Sequence, residues 1–219
     1  MTQPMTVIFD MDGVLLDTES LVLRCWQQLA SDYHLTEVRR VFLSTVGTTR
    51  AYTAEVLRTQ YGSAFPSEQF EQQISQLFHR IADRDGIPLK PGAREILSDL
   101  SAHGCRIGLA SSTRQETAER ELHQAGLAHY FDRIVGGDRI AHSKPAPDIY
   151  LAACRGMGVQ PQHAFAVEDS YNGIRAAHQA GMQPVMIPDL LPPTPEITAL
   201  CHAVFPDLHR FLDYLKSLR

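Results

Sequence analysis

The sequence has no pair of cysteines at metal-ligand or redox spacing. Its four cysteines, Cys25, Cys105, Cys154 and Cys201, are scattered through 219 residues. A zinc module or a CxxC redox motif therefore has no support, and reduced thiols in a cytoplasmic protein fit better. Nor is there an excess of positive charge. Twenty Lys and Arg against 25 Asp and Glu leave a formal net charge of -5, a poor match for nucleic acid or an anionic membrane. No apolar run approaches the ~18 residues of a membrane span. The first five residues carry no basic segment, so no secretory signal is expected. HxxxH pairs, internal repeats and low-complexity tracts are missing too. What remains is a chain of 44% hydrophobic and 21% charged residues, ordinary for a globular protein and long enough for one sizeable core with a smaller module inserted.

Val7-Ile8-Phe9 is a short β-type run that stops at Asp10, with Gly13 just beyond. It reads as a buried strand and a tight turn. Similar runs cover residues 106–110, 133–135, 164–167 and 185–187, with a weaker one at 203–205. Helical patterns lie between most of them. One has Ala93, Ile96, Leu97 and Leu100 on a face and closes at Gly104. Others cover 114–125, 148–157, 170–180 and 208–218. Strand alternating with helix predicts a parallel sheet covered on both faces. Residues 18–85 break that rhythm. They hold helical faces, Val22, Cys25, Trp26 and Leu29 on one and Phe70, Ile74, Leu77, Phe78 and Ile81 on another, with Ser67 as the expected N-cap. The expected organisation is an α/β core from residues 1–16 and 87–219, with a helical module over 17–86. Residues 188–195, rich in proline, are expected to form a surface loop.

In parallel α/β sheets, ligands sit beyond the carboxyl ends of the strands. The first strand ends in Asp10-Met11-Asp12-Gly13 and the second in Ser111-Ser112. Lys144 follows the third, and Glu168-Asp169-Ser170 ends the fourth. Each alone has a plain structural reading as turn or capping chemistry. Together they bring four carboxylates to one rim, where they repel one another unless a cation sits among them. Hard oxygen donors with room for water suit Mg2+. With a metal, a carboxylate can attack phosphorus, a lysine and a hydroxyl can hold the phosphoryl oxygens, and a second acid can protonate the leaving oxygen.

Four segments carry a family resemblance: Asp10-Met11-Asp12-Gly13-Val14-Leu15-Leu16-Asp17-Thr18-Glu19, Leu109-Ala110-Ser111-Ser112, Ser143-Lys144-Pro145-Ala146-Pro147-Asp148, and Val167-Glu168-Asp169-Ser170 with Gly173. In this order they resemble the four motifs of the haloacid dehalogenase superfamily, in the β-phosphoglucomutase-like phosphatase branch. The resemblance implies a Rossmann-like core with a helical cap inserted after the first strand. It makes Asp10 the nucleophile, Asp12 the general acid and base, Ser111 a phosphate ligand, and Lys144 the group that orients Asp10 and the phosphoryl group. Mg2+ would be held by Asp10, Asp169, the Asp12 main-chain carbonyl, and Glu168 directly or through water. The carboxylate of Asp12 also sets the chain apart from the dehalogenases and phosphonatases of the superfamily.

Within that branch the mutases resemble each other in carrying a cap histidine where this chain has Val22, and a lysine where it has Val46. Neither valine can grip a second phosphate, which favours water as the acceptor. Substrate contacts implied by the resemblance are Ser112, Glu19, Gly47 and Arg50, although Arg50 equally fits a solvent-facing position in a first helical turn. His142 lies close to Lys144 in sequence and reads as loop surface or pocket edge. The expectation is a Mg2+-dependent phosphatase acting on a small phosphorylated metabolite, a sugar or polyol phosphate. The alternatives are a phosphosugar mutase or a non-catalytic binding protein. No nucleic-acid or membrane partner is expected, and monomer and homodimer stay open.

Overall fold

The computed structural model describes residues 4–46, 48 and 50–219, with Arg50 described by its backbone. Strand β1 (Thr6–Phe9) is followed by four helices: α1 (Thr18–Leu29), α2 (Val38–Leu43), α3 (Arg50–Tyr61) and α4 (Ser67–Asp85). Then come α5 (Ala93–Ala102), β2 (Arg106–Ser111), α6 (Gln115–Gln124), β3 (Arg133–Gly136), α7 (Asp148–Met157), β4 (Ala164–Glu168), α8 (Tyr171–Gln179), β5 (Gln183–Met186), α9 (Pro195–Leu200), β6 (Ala203–Val204) and α10 (Leu208–Ser217). The chain divides into two units, one of residues up to Asp17 with Pro88–Arg219, the other Thr18–Ile87.

The first unit is a six-stranded sheet of order β3-β2-β1-β4-β5-β6, parallel throughout. β1 lies at its centre, paired with β2 on one side and β4 on the other, and every residue of β1 is buried. That explains the apolar run Val7-Ile8-Phe9: a parallel strand covered on both faces has no solvent side. One face carries Ile8, Ala110, Val135, Ala164 and Ala166 against Ile149, Tyr150, Ala153 and Met157 of α7 and Ala176 and Ala177 of α8. α5 packs on β2, and α10 packs on α5. The expected α/β, Rossmann-like class is the one observed.

The second unit is helical, and its core is aromatic. Trp26 meets Phe42 and Phe70 edge-on, with ring centroids 5.4 and 5.0 Å apart, and Tyr33 meets Phe70 at 5.1 Å. Edge-to-face pairs of this kind add about 0.5–1.5 kcal/mol each beyond the area they bury. On α1 the buried residues are Thr18, Leu21, Leu23, Cys25 and Trp26, with Val22 and Leu29 only partly covered. On α4, Phe70, Ile74 and Leu77 are buried, while Phe78 and Ile81 lie at the margin.

Two local expectations are corrected. Ser67 is not an N-cap: Pro66 holds that place, and the Ser67 hydroxyl turns to the Glu68 carboxylate, 3.2 Å away. The loop expected over 188–195 ends a residue early, because Thr194 caps α9 by accepting from the Ile197 N–H and Pro195 opens the helix. Proline at a first helical position forgoes only an N–H that has no partner there anyway. Among the described residues no helix is long and apolar enough to cross a membrane, and all four cysteines are free thiols.

Candidate active site

The strand order changes direction between β1 and β4, and in doubly wound sheets the ligand crevice opens at that switch. Register decides what lies there. Phe9 pairs with Leu109 on β2 and Val167 on β4, and the Asp10 N–H donates to the Val167 carbonyl at 2.9 Å. Asp10 therefore leaves the sheet at its centre, beside Glu168 and Asp169 at the end of β4. The turn that follows is pinned from below, because Met11, Val14, Leu15 and Leu16 are fully buried. It closes through hydrogen bonds from the Leu15 and Leu16 N–H groups to the Met11 carbonyl. Gly13 adopts φ +77°, and a Cβ there would sit 2.2 Å from Asp169 Oδ2. Glycine is the residue that takes this backbone and leaves that oxygen its space.

Lys144 ties the rim together. Its ammonium donates to Asp10 Oδ1 at 2.5 Å, Glu168 Oε1 at 2.6 Å and the Ala110 carbonyl at 3.0 Å. A lysine has three N–H donors, so all of them are engaged. Its side chain is 7% exposed, that of Asp10 9% and that of Glu168 0%. Glu168 is gripped at both oxygens. Oε1 also accepts from the Tyr150 hydroxyl at 2.8 Å, and Oε2 accepts from the Ser170 hydroxyl at 3.0 Å. Ser170 caps α8 at the same time, by accepting from the Gly173 N–H. The Lys144 ammonium also lies 5.2 Å from the centre of the Tyr150 ring, within cation–π range.

The electrostatics follow from this crowding. Burial is the largest influence on Asp10; Lys144 opposes it, and Glu168 and Asp12 add repulsion, so the carboxyl is pushed up to about 8. Burial pulls the Lys144 pKa down, but the two carboxylates against it outweigh burial and hold it charged above the usual lysine range. The buried Tyr150 phenol is raised well above its ordinary value, first by burial and then by Glu168 and Asp10, so it remains a donor.

Asp10, Glu168 and Asp169 each offer an oxygen within 4.8 Å of the others. The set is all carboxylate, the donor type that hard divalent cations prefer. Burial raises the Asp10 pKa most, and Glu168 and Asp12 add to it against the pull of Lys144. The residues fit a divalent cation.

Asp12 stands apart from that trio. Its Oδ2 accepts from the Thr113 hydroxyl at 2.9 Å and, more distantly, from the Ser111 hydroxyl at 3.4 Å. Ser111 is fully buried, and its Oγ accepts the Thr113 N–H at 3.0 Å. Ser112 has an exposed side chain just beyond. His142 is exposed and pairs with Asp148 at 2.9 Å, outside the Lys144 cluster. The structure thus brings together Asp10, Asp12, Ser111, Lys144, Glu168 and Asp169. Glu19 is partly exposed in the first turn of α1, within the helical unit. Gly47 and the side chain of Arg50 lie outside the described residues. Sequence reasoning missed Thr113 and Tyr150. Thr113 carries a weak signal, two residues past a strand end, whereas Tyr150 reads only as an apolar position of α7.

The strand order and the acid-lined crevice at its switch point place the chain among the doubly wound α/β enzymes. The haloacid dehalogenase-like hydrolase family matches residues 4–181. A phosphorylated carbohydrates phosphatase from Thermotoga maritima is 31% identical over 177 residues, 81% of this chain and 82% of that protein. The fructose-1-phosphate phosphatase YqaB of Escherichia coli K12 is 31% identical over 182 residues, 82% of this chain and 94% of its own. Among solved structures, a protein from Thermotoga maritima provisionally assigned as a β-phosphoglucomutase superposes with a TM-score of 0.80 at 28% identity, over 98% of this chain and 99% of its own. The chain belongs to the haloacid dehalogenase-like hydrolases, in their β-phosphoglucomutase-like phosphatase branch.

Proposed function

We propose that the protein is a cytoplasmic, Mg2+-dependent phosphatase that hydrolyses a small phosphate monoester of a sugar or polyol through an aspartyl phosphate on Asp10. The observation that carries this reading is the Asp10 carboxylate held by Lys144 at the switch point, 2.5 Å from its ammonium and beside Asp169. The substrate class is supported by the relatives named for phosphorylated carbohydrates and fructose 1-phosphate.

Mg2+ held by Asp10, Asp169, the Asp12 main-chain carbonyl and Glu168, directly or through water, would supply positive charge that offsets repulsion between nucleophile and phosphate. Asp10 forms a bond to phosphorus as the ester P–O bond breaks, and its electron pair goes to the leaving oxygen. Asp12 gives that oxygen a proton. Asp12 then takes a proton from water as the water oxygen bonds to phosphorus, releasing inorganic phosphate and restoring Asp10. Lys144 keeps Asp10 aimed, and Ser111 and Ser112 hold phosphoryl oxygens. The same reading carries Glu19, Gly47 and Arg50 as substrate-binding residues.

The test is phosphate release from a panel of phosphorylated metabolites, with Mg2+ and with EDTA, beside Asp10→Asn. Metal-dependent release lost in the variant supports the reading, and the order of substrates names the class. The provisional mutase assignment of the Thermotoga structure favours a second reading, phosphoryl transfer within a sugar. Isomerisation of a sugar monophosphate that needs its bisphosphate, with no net phosphate release, would establish that instead.

A further inference from the structure

We propose that Thr113 is a positioning residue for Asp12, fixing the carboxyl group so that Oδ1 is the oxygen that carries the transferred proton. This rests on the reading of Asp12 as general acid and base. The Thr113 hydroxyl donates to Asp12 Oδ2 at 2.9 Å, a shorter bond than the 3.4 Å from Ser111. A carboxylic acid has one proton and two oxygens. Its carbonyl oxygen is the better acceptor, so a donor fixed at Oδ2 leaves the proton on Oδ1. The same bond stops rotation about the carboxyl, which otherwise spreads the proton over orientations that miss the leaving oxygen.

Thr113 is itself held by its backbone. Its N–H donates to Ser111 Oγ at 3.0 Å, and its carbonyl accepts the Gly137 N–H at 2.8 Å. Gly137 approaches the loop so closely that a Cβ there would lie 2.3 Å from the Ser112 carbonyl oxygen. The loop after β2 is thus braced against the end of β3, and Thr113 presents its hydroxyl from a fixed platform. In the forward step the proton leaves Oδ1 for the ester oxygen as the P–O bond breaks. In the second, Oδ1 takes a proton from the attacking water.

The experiment uses the protein with Mg2+ and compares kcat/KM for an alkyl phosphate and for p-nitrophenyl phosphate. The kcat/KM ratio reports the steps through leaving-group departure. An alkoxide needs a proton to leave, and p-nitrophenolate does not. Thr113→Val is expected to lower kcat/KM for the alkyl ester by about 10- to 100-fold, part of the ~100-fold or more that general acid catalysis contributes. For p-nitrophenyl phosphate it should change by less than about threefold, and Thr113→Ser should recover the alkyl activity to within about threefold. Asp12→Ala should show the same selectivity at larger size. If Asp12→Ala harms both esters equally, the reading of Asp12 fails. If Asp12→Ala is selective while Thr113→Val slows both esters equally, or slows neither, the role of Thr113 is overturned. Thr113→Ala gives the same comparison without the added methyl bulk, should the valine variant not fold.

Discussion

Replacing Lys144 by methionine keeps most of the side-chain stem and removes the ammonium. The structure says what is then left behind. Asp10 and Glu168 lose their cation, and the Ala110 carbonyl loses a donor. Both carboxylates sit where water barely reaches, 9% and 0% exposed. Breaking a buried ion pair by deleting one partner costs about 3–5 kcal/mol. At pH 7, below the raised Asp10 value, the ion pair that is broken is Lys144–Glu168, and the metal-free variant should lose about that much, measured by urea unfolding in EDTA. The pH dependence has a definite sign. Asp10 has a folded-state pKa raised to about 8, mainly by burial, with Lys144 as the main opposing pull. A raised carboxyl contributes stability that is present below its unfolded pKa and drains away as pH rises through the folded value. Without Lys144 the folded value climbs further. Wild type and variant lose stability in parallel up to about pH 8; above it the wild type levels off and the variant goes on losing. The deficit should be larger at pH 9 than at pH 7, and Asp10→Asn added to Lys144→Met should remove the increase. A loss under about 1 kcal/mol at pH 7, or a deficit that shrinks toward pH 9, would refute the reasoning.

Tyr150→Phe keeps the ring and removes only the hydroxyl that Glu168 Oε1 accepts; loss of a hydrogen bond to a buried charge should lower stability by about 1.5–3 kcal/mol in chemical unfolding. Added Mg2+ should raise the melting temperature, and more so at pH 8 than at pH 6, because the ion must displace the proton that the raised Asp10 carboxyl retains. A shift independent of pH would separate ion binding from Asp10. Gly13→Ala puts a methyl 2.2 Å from Asp169 Oδ2 on a backbone at φ +77°. It should cost about 1–2 kcal/mol of strain and weaken Mg2+ binding in a titration calorimeter.

The site's acids were legible because each ends a buried parallel strand: a charge after an apolar run marks where the sheet meets solvent, and Asp10, Glu168 and Asp169 all carry that mark. The sheet was legible for the same reason, since covered strands read as short apolar runs. Partners across the fold were not. Tyr150 donates to Glu168 from 18 residues away, and nothing near it in sequence distinguishes a buried phenol with a partner from ordinary core. Thr113 reaches Asp12 from the end of the neighbouring strand, 101 residues away in sequence. Helix α2 escaped because it is six residues long and opens on Glu37 in a left-handed backbone conformation with no side-chain cap. At α4 the serine that looks like a cap lies one residue inside the helix, because Pro66 takes the capping position. The Thr194-Pro195 start of α9 was a readable cap-and-proline signal, hidden inside a proline-rich stretch.

The central claim is that Asp10 carries the phosphoryl group. The direct measurement is rapid acid quench of the Mg2+-loaded wild type during turnover of its best monoester, followed by peptide mass spectrometry. The account predicts a phosphoryl group on the peptide holding Asp10, labile to hydroxylamine, and none in Asp10→Asn, which should also release no phosphate. Undiminished turnover by Asp10→Asn, or a phosphoryl group on a different residue, would contradict it.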